Sequence, residues 1–310
     1  MTHPLNRRFA GTAAAALAAL ALLAGCGSSG SGGTSAPAAS RSAASGAAAG
    51  APKRIVSLSP TATEDLYAVG AGRQVVAVDS LSDYPKQAPK TSLSAYTPNV
   101  EAIAKYRPDL VLAAQDRGGL VSGLKKLGVK TVVLPAADTL PAAYAQVAQV
   151  GSLTGHATRG RSVAAAMKTS IDGQLKKAGR DHSDLSAYWE TTAKPYYAAS
   201  SDSLVGRIVA MFGLRNIADK APGAASSGGY PQLSEEYIVK SRPDVVLLAD
   251  TGSGGGQTAA TVKARAGWSV VPAVAKNRIY PLDADIASRW GPRLPLLVGS
   301  IAKAVEQAGK

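Results

Sequence analysis

Residues that carry enzyme chemistry are scarce in this chain of 310 residues, which has one cysteine and three histidines. There is no Gly-x-Ser-x-Gly segment, so nothing indicates a serine or cysteine nucleophile with a base within reach. Too few histidines are present for the usual imidazole-rich zinc or manganese site. The glycine-rich segment 252–256 lacks the lysine and the flanks of a phosphate-binding loop. We therefore predict that the protein is not an enzyme and that it holds no metal or cofactor of its own.

Aromatic and acidic residues are also few. Aromatic residues make up 5% of the chain, and 21 acidic residues face 34 lysines and arginines, which gives a formal net charge of +13. A basic protein is suited to an anionic ligand, an anionic membrane or nucleic acid. Because no basic run is interleaved with aromatic residues, we do not expect nucleic-acid binding, and a dispersed basic surface accounts for the charge.

The first 52 residues have the composition of a targeting segment followed by a tether. Two arginines precede an apolar stretch that ends in Leu23-Ala-Gly-Cys26. This ending resembles the lipobox of bacterial lipoproteins, which implies a signal peptide over 1–25 and lipidation of Cys26. The chain would then be anchored by lipid at the extracytoplasmic face of the cell membrane, with 26–52 as a flexible linker. A plain secretory signal is the alternative, and export by the general or the twin-arginine route stays open.

A repeat divides the rest of the chain into two halves. The segments 100–112 and 235–247 share the pattern Glu-x-Ile-x-Lys-x-Arg-Pro-Asp, and the offset of 135 residues is the same at every identity. Each copy predicts a short helix, a turn and a buried strand. A unit repeated at domain-sized spacing indicates two similar lobes with a cleft between them.

Strands and helices alternate in both halves, and each strand is a nearly continuous apolar run, as in parallel sheets covered on both faces. Between the halves, an apolar residue recurs every fourth position from Val163 to Leu175, which predicts one long helix over 157–178. We therefore predict an α/β protein with parallel sheets in an N-terminal lobe over 53–155 and a C-terminal lobe over 181–310. A single connecting helix at 156–180 would bridge them.

Polar and aromatic residues follow the predicted strands, where α/β folds usually bind ligands. Tyrosine and tryptophan offer flat apolar faces to a bulky ring system, and arginine can hold carboxylate, catecholate or phosphate. For each candidate, a structural role is the alternative. The candidate ligand contacts are Ser59, Tyr84, Tyr96, Arg117, Trp189, Tyr197, Tyr230, Asp285 and Arg289. Thr61 with Glu64 fits a capping box, and Arg293 is expected to cap the last helix.

An ordered set of motifs over about residues 53–308 resembles the cobalamin and ferric-siderophore substrate-binding proteins that serve ABC importers. The motifs are Arg54 to Pro60 with Thr63-Glu64, Ser82 to Pro85, Asn99 to Ile103, Arg107 to Leu112, Gly213 to Ile217, Tyr230 to Glu236, Arg242 to Asp244 and Arg289 to Arg293. The resemblance implies two Rossmann-like lobes with small hinge motion and a monomer that captures a large chelate in its cleft. The expected partners are the permease and ATPase subunits of the importer.

The resemblance also implies that one glutamate on each lobe docks onto arginines of the permease. Glu101 and Glu236 match these positions, although Glu235 could take the second role because it is adjacent. The alternative is that both are ordinary exposed acids at helix starts, where the helix dipole favours them.

The ligand stays open among cobalamin, a ferric siderophore and haem, each of which would bring its own cobalt or iron. Ser82 to Pro85 and the spacing of Asp285 and Arg289 are most similar to cobalamin binders, and the basic net charge favours an anionic siderophore. Related haem carriers use a tyrosine in the loop that matches Tyr84. Where cobalamin binders typically have tryptophan, this chain has Tyr96, Ala114 or Gln115, and Tyr230. An adhesin or cell-wall module that transports nothing is the alternative from another class.

Overall fold

The computed structural model describes residues 50–252 and 256–309. The predicted signal peptide, the lipidation site Cys26 and most of the predicted tether lie outside the described residues. Within those residues, no helix combines the length and the apolar character that crossing a membrane requires.

The described part alternates strands and helices from Ile55 to Ala308. The strands are β1 Ile55–Leu58, β2 Val75–Val78, β3 Leu110–Ala113, β4 Lys130–Val133, β5 Ser186–Ala193, β6 Tyr196–Ala198, β7 Arg215–Asn216, β8 Gln232–Leu233, β9 Val245–Leu248 and β10 Ile279–Pro281. The helices are α1 Pro60–Ala68, α2 Val100–Ala104, α3 Leu120–Lys126, α4 Leu140–Leu153, α5 Ala157–Ala178, α6 Leu204–Ala210, α7 Glu235–Ser241, α8 Ala259–Lys263, α9 Pro272–Ala275, α10 Ala284–Ser288 and α11 Leu294–Ala308.

The first lobe contains a parallel sheet in the order β2-β1-β3-β4. Its central strands are fully buried and supply apolar side chains to both faces. In β1, Ile55 joins one apolar cluster, whereas Val56 and Leu58 join another on the opposite face. Burial on both faces is the reason that these strands read as continuous apolar runs, and the prediction of a parallel sheet is confirmed here.

The second lobe has a mixed sheet, in the order β10-β9-β5-β6-β8 with β7 also paired to β5. Strands β7, β9 and β10 run parallel to their neighbours, but β6 is antiparallel to both β5 and β8. Only Lys194 and Pro195 separate β5 from β6. A connection this short can join only antiparallel strands, because parallel neighbours need a long crossover. The prediction of purely parallel sheets therefore holds for the first lobe and for part of the second.

The two copies of the repeat share the same turn. Arg107 and Arg242 both have φ of 48°, in the left-handed region. A left-handed residue stops a helix, and the proline that follows each arginine cannot continue it. Each copy therefore forms a helix, an Arg-Pro-Asp turn and a strand, as predicted.

The aspartate of each turn ties its strand to the start of the neighbouring strand. Asp109 accepts hydrogen bonds from the backbone N–H groups of Lys53 and Arg54, at 2.7 and 3.0 Å. Asp244 accepts one from the backbone N–H of Ser186 at 3.0 Å and another from the hydroxyl of the same residue. The first pairs of the two ladders are consequently equivalent, with Ile55 opposite Leu110 and Ala187 opposite Val245.

The long helix α5 lies between the lobes in the chain and packs against α4 of the first lobe and α11 of the second. Its buried face includes Met167, Ile171 and Leu175, three members of the predicted apolar stripe. Gly160 of α5 meets Gly151 of α4 so closely that a Cβ on Gly160 would lie 3.0 Å from the Cα of Gly151. Two glycines thus let the helix backbones approach each other directly.

One apolar cluster continues from the first lobe through α5 into the second. It includes Leu66 and Val147 of the first lobe, Ile171 of α5, and Trp189 and Val298 of the second lobe. The lobes therefore share a core in addition to the long helix.

Candidate ligand-binding cleft

A cavity of ≈ 390 Å³ lies at the carboxyl ends of the strands of the first sheet. The residues that directly follow β1, β2, β3 and β4 all line it, and they are Ser59, Asp79, Ala114 and Leu134. Parallel strands end at one edge of their sheet, so the loops that follow them converge there. From the second lobe, the segment 288–290 contributes to the wall. The cavity thus belongs mainly to the first lobe, with a short contribution from the second.

Four predicted ligand contacts line the cavity: Ser59, Tyr96, Arg117 and Arg289. Ser59 also caps α1, because its hydroxyl accepts a hydrogen bond from the backbone N–H of Ala62 at 3.3 Å. The ring of Tyr96, whose residue is 65% exposed, lies 5.5 Å from the guanidinium carbon of Arg117. Tyr96 and Arg117 thus form a cation–π pair at the edge of the cavity.

Trp189 differs most from its predicted role, because it is only 2% exposed and lies in the apolar core. It belongs to β5, which is paired on both sides, so its ring packs inside the lobe rather than in the cleft. Tyr197 is exposed on β6 and Tyr230 is half-buried against the same core, and neither is among the cavity-lining residues. Burial raises the pKa of Tyr230.

Arg289 joins the two lobes beside the cavity. Its guanidinium group donates to Asp83 and to the backbone oxygen of Leu81 in the first lobe, the latter at 3.1 Å. It also pairs with Asp285 of its own lobe at 3.0 Å. Burial pushes the pKa of Asp83 up, but the hydrogen bond and charge of Arg289 outweigh it and hold that pKa below its usual value. The predicted contact Asp285 therefore acts here as a partner of Arg289.

A second ion pair across the lobes joins Arg293 to the buried Glu64 on α1. The two hydrogen bonds measure 2.8 and 2.6 Å, which is the forked geometry that arginine forms with a carboxylate. Glu64 therefore does not close a capping box with Thr61, because Ser59 is the cap of α1 and Glu64 turns inward. Arg293 precedes α11 as expected, but its side chain makes no cap hydrogen bond there. Its guanidinium carbon lies 4.1 Å from the ring centroid of Tyr84, which is 44% exposed.

The sequence analysis did not single out Asp65, Asp79 and Trp290, all of which line the cavity. Asp65 and Asp79 are each 1% exposed. Burial raises the pKa of Asp79, and it raises that of Asp65 well above the usual value, with a smaller contribution from the charge of Glu64. An available signal for Asp65 was its place beside Glu64 in a helix whose other residues are mostly apolar or uncharged. Trp290 lies in one of the motifs but was not among the chosen residues.

The two glutamates of the repeat occupy equivalent places outside the cavity. Glu101 and Glu236 are each the second residue of a helix, α2 and α7, whose caps are Asn99 and Ser234. Both glutamates are exposed. Their carboxylates have no hydrogen-bond or ion-pair partner among residues 50–252 and 256–309.

Glu235, in contrast, is held within its own lobe. Its carboxylate accepts hydrogen bonds from the indole N–H of Trp268 at 2.8 Å and from the hydroxyl of Tyr196 at 3.2 Å. The guanidinium carbon of Arg265 lies 4.6 and 5.2 Å from the ring centroids of that tryptophan and tyrosine. The same arginine forms a forked pair with the buried Glu190. Both glutamates are exposed, but Glu236 is the one whose carboxylate has no hydrogen-bond partner among the described residues.

The architecture and the position of the cavity define an α/β binding protein with two lobes. A family model described as "Periplasmic binding protein" matches residues 55–286. The chain belongs to this family, whose members bind substrates for transport rather than convert them.

The relatives narrow this class. An uncharacterized ABC transporter substrate-binding lipoprotein of Bacillus subtilis (strain 168) is 30% identical over 262 residues, which cover 82% of this chain and 80% of the relative. A vitamin B12-binding protein of Pectobacterium carotovorum subsp. carotovorum (strain PC1) is 29% identical, with 82% and 88% covered. Among solved structures, a periplasmic heme-binding protein from Roseiflexus sp. RS-1 matches with a TM-score of 0.71 and 26% identity, covering 83% of this chain and 99% of that one. The protein is thus an extracytoplasmic substrate-binding protein of an ABC importer.

Proposed function

We propose that the protein is held at the extracytoplasmic face of the membrane by lipid on Cys26, captures a large metal chelate in its cleft and delivers it to the permease. The observation that carries the proposal is the convergence of four strand ends of the first lobe with the segment 288–290 of the second. A ligand in this place contacts both lobes at once. Both lobes can therefore respond to ligand binding.

The candidate chelates are cobalamin, a ferric siderophore and haem. The flat rings of cobalamin and haem suit the aromatic side chains that line the cavity, Tyr96 and Trp290. The named relatives bind vitamin B12 and heme, so the family accommodates more than one macrocycle. The chelate brings its own metal, and no group of acidic, cysteine and histidine side chains that could hold a metal ion lies in the described part of the chain.

Glu101 and Glu236 are proposed to dock the two lobes onto the permease. Support comes from their equivalent helix positions, their exposure and their lack of intramolecular partners within the described residues. Glu235 lacks this freedom because Trp268 and Tyr196 hold its carboxylate. A pair of acids, one on each lobe, would allow the permease to recognise both lobes together.

Tryptophan fluorescence provides the test of binding, because Trp290 lines the cavity whereas Trp189 and Trp268 are buried in the core. The purified protein is titrated with cyanocobalamin, ferric siderophores and haemin. We expect a saturable change with at least one chelate and a much smaller change in Trp290→Phe. A protein that binds none of them would contradict the proposal and favour an adhesin or cell-wall module.

Transport by the reconstituted importer tests docking. Glu101→Ala combined with Glu236→Ala should leave chelate affinity unchanged and abolish uptake. Asp184→Ala is the matched control, because Asp184 is an exposed acid at the amino end of β5. Loss of chelate affinity in the double variant would instead assign the two glutamates to ligand binding.

A further inference from the structure

Asp65 stands apart from the other buried acids of the described chain. Glu64 is paired with Arg293, Glu190 with Arg265, and Asp79 with the hydroxyl of Ser82. Asp65 is as buried as these residues, yet its Oδ1 has no hydrogen-bond partner within residues 50–252 and 256–309. An unpartnered buried carboxyl is costly for a folded protein, so its presence calls for an explanation.

The position of Asp65 supplies one, because Asp65 is among the residues that line the cavity. It lies where the first lobe meets the segment contributed by the second. A Cβ added to Gly291 would lie 3.1 Å from Oδ1 of Asp65, so the absence of a side chain at Gly291 leaves room for the carboxyl group. A ligand that fills the cavity would meet Asp65 at the junction of the two lobes.

The protonation of Asp65 determines which ligand groups it can pair with. Burial raises its pKa well above the usual value, and the neighbouring charge of Glu64 raises it further. A protonated carboxyl both donates and accepts a hydrogen bond. A carboxamide has the same two capacities, so the two groups can form a pair with two hydrogen bonds.

The charges around the cavity disfavour an anionic ligand. Arg289 and Arg293 are surrounded by four acids whose carboxyl groups are paired with them or lie in their field: Glu64, Asp79, Asp83 and Asp285. Both arginines are thus already engaged, and acids outnumber them two to one. The remaining lining cation within the described residues is Arg117, whose guanidinium group lies over Tyr96. A dianionic or trianionic chelate would therefore find, in the cavity wall, only one arginine that is not already paired with an acid.

We propose that Asp65 is a specificity-determining residue that exchanges hydrogen bonds with an amide group of an uncharged metal chelate. This inference rests on the proposed function and narrows its ligand class. Two sources share the chemistry, a corrinoid with carboxamide side chains and a ferric trihydroxamate with backbone amides. Ferric tris-catecholates and haem, which carry negative charge, bind more weakly.

The test compares four probes on the purified full chain: cyanocobalamin, the cyclic ferric trihydroxamate ferrioxamine E, a ferric tris-catecholate and haemin. The wild type should bind one of the two uncharged probes at least about tenfold more tightly than either charged probe. Asp65→Leu should weaken that probe about tenfold to a hundredfold, because it removes the hydrogen bonds and leaves the ligand amide unpaired. Asp65→Asn should weaken it less than about fivefold, because an amide also donates and accepts. Asp184→Leu, at an exposed position away from the cavity, should leave every affinity unchanged.

Thermal unfolding of the ligand-free variants separates recognition from folding. Asp65→Leu should unfold at or above the wild-type temperature, because it removes an unpartnered buried polar group. If leucine is not accommodated, Asp65→Ala makes the same deletion with a smaller side chain. Two outcomes overturn the inference but leave the proposed function intact. One is a folded deletion variant whose affinity stays within twofold of wild type. The other is a wild type that prefers the tris-catecholate or haemin. A wild type that binds none of the four probes overturns the proposed function, and the inference with it.

Discussion

The buried ionisable residues differ in whether a partner compensates their charge. Asp250 follows β9 in the second lobe, and one of its carboxyl oxygens is buried without a hydrogen-bond partner among the described residues. Burial raises the pKa of Asp250 to about 6, and the charge of Glu190 adds to the rise. Because Glu190 is satisfied by Arg265 whereas Asp250 is not, the cost of ionisation falls on Asp250.

This shift predicts a pH-dependent stability. Between the ordinary value of 3.8 and about 6, the folded protein binds this proton more tightly than the unfolded chain does. Stability therefore falls as pH rises through that window, and the loss is complete above it. Asp250→Asn should be more stable than wild type by about 1–2 kcal/mol at pH 7.5, and the two should converge near pH 4.

Urea unfolding at several pH values measures the difference between Asp250→Asn and wild type. Asp184→Asn is the control, since Asp184 is exposed two residues before β5 and should show no such trend. A stability difference that stays constant from pH 4 to pH 7.5 would show that the variant acts through packing rather than through titration.

Some residues that line the candidate cleft could be placed there from the sequence, because their position relative to a strand decides it. Ser59 could be found because it directly follows an apolar strand, and Arg117 because it lies in the loop after another. Asp65 could not, because an acid within a helix is normally exposed, and its burial depends on how the second lobe covers α1. Trp189 was assigned to the cleft although it lies in the core, because a large aromatic residue suits both places and the sequence does not distinguish them.

At the scale of secondary-structure elements, local sequence patterns were sufficient to predict the long helix and the fold of the repeat. The four-residue spacing of apolar side chains predicted 157–178, and α5 spans Ala157–Ala178. The direction of β6 could not be taken from its own three residues, because it depends on the two-residue connection to β5. The mixed character of the second sheet thus follows from loop length rather than from strand composition.

The contact between α4 and α5 predicts opposite outcomes for two glycines of one helix. Gly160→Ala should destabilise the protein by about 1–3 kcal/mol, because the new Cβ meets the backbone of Gly151 and forces the helices apart. Gly173→Ala is the matched control on the same helix. No atom lies within 4 Å of the added Cβ, so this change should stabilise by about 0.5–1 kcal/mol through the lower flexibility of alanine.

Urea unfolding of the two glycine variants gives the comparison directly. The midpoint should shift down for Gly160→Ala and up for Gly173→Ala, with similar slopes. Equal shifts of the same sign would mean that the close approach of the two helices does not limit stability.

At the scale of the whole molecule, the shared core predicts that the lobes unfold together. The cluster that includes Leu66, Ile171 and Val298 continues through both lobes and α5. We expect a single calorimetric transition for residues 50–309, with equal calorimetric and van't Hoff enthalpies. Two resolved peaks, as independent domains give, would contradict this expectation.

The overall charge and the local charge of the protein have opposite signs. The chain has a formal net charge of +13, yet acids outnumber arginines around Arg289 beside the cavity. The positive net charge, taken from the sequence, favoured an anionic siderophore. The local arrangement favours an uncharged ligand, because a bound molecule responds to the groups that surround it rather than to the total.

The matching Arg-Pro-Asp turns make the segments 100–112 and 235–247 interchangeable as backbone modules. Both arginines have the same φ, and both aspartates fasten the following strand to the start of its neighbour. A chimera that exchanges 100–112 with 235–247 would keep each strand in register while moving each exposed glutamate to the other lobe. The proposed docking surface could therefore be moved from one lobe to the other without a change of fold.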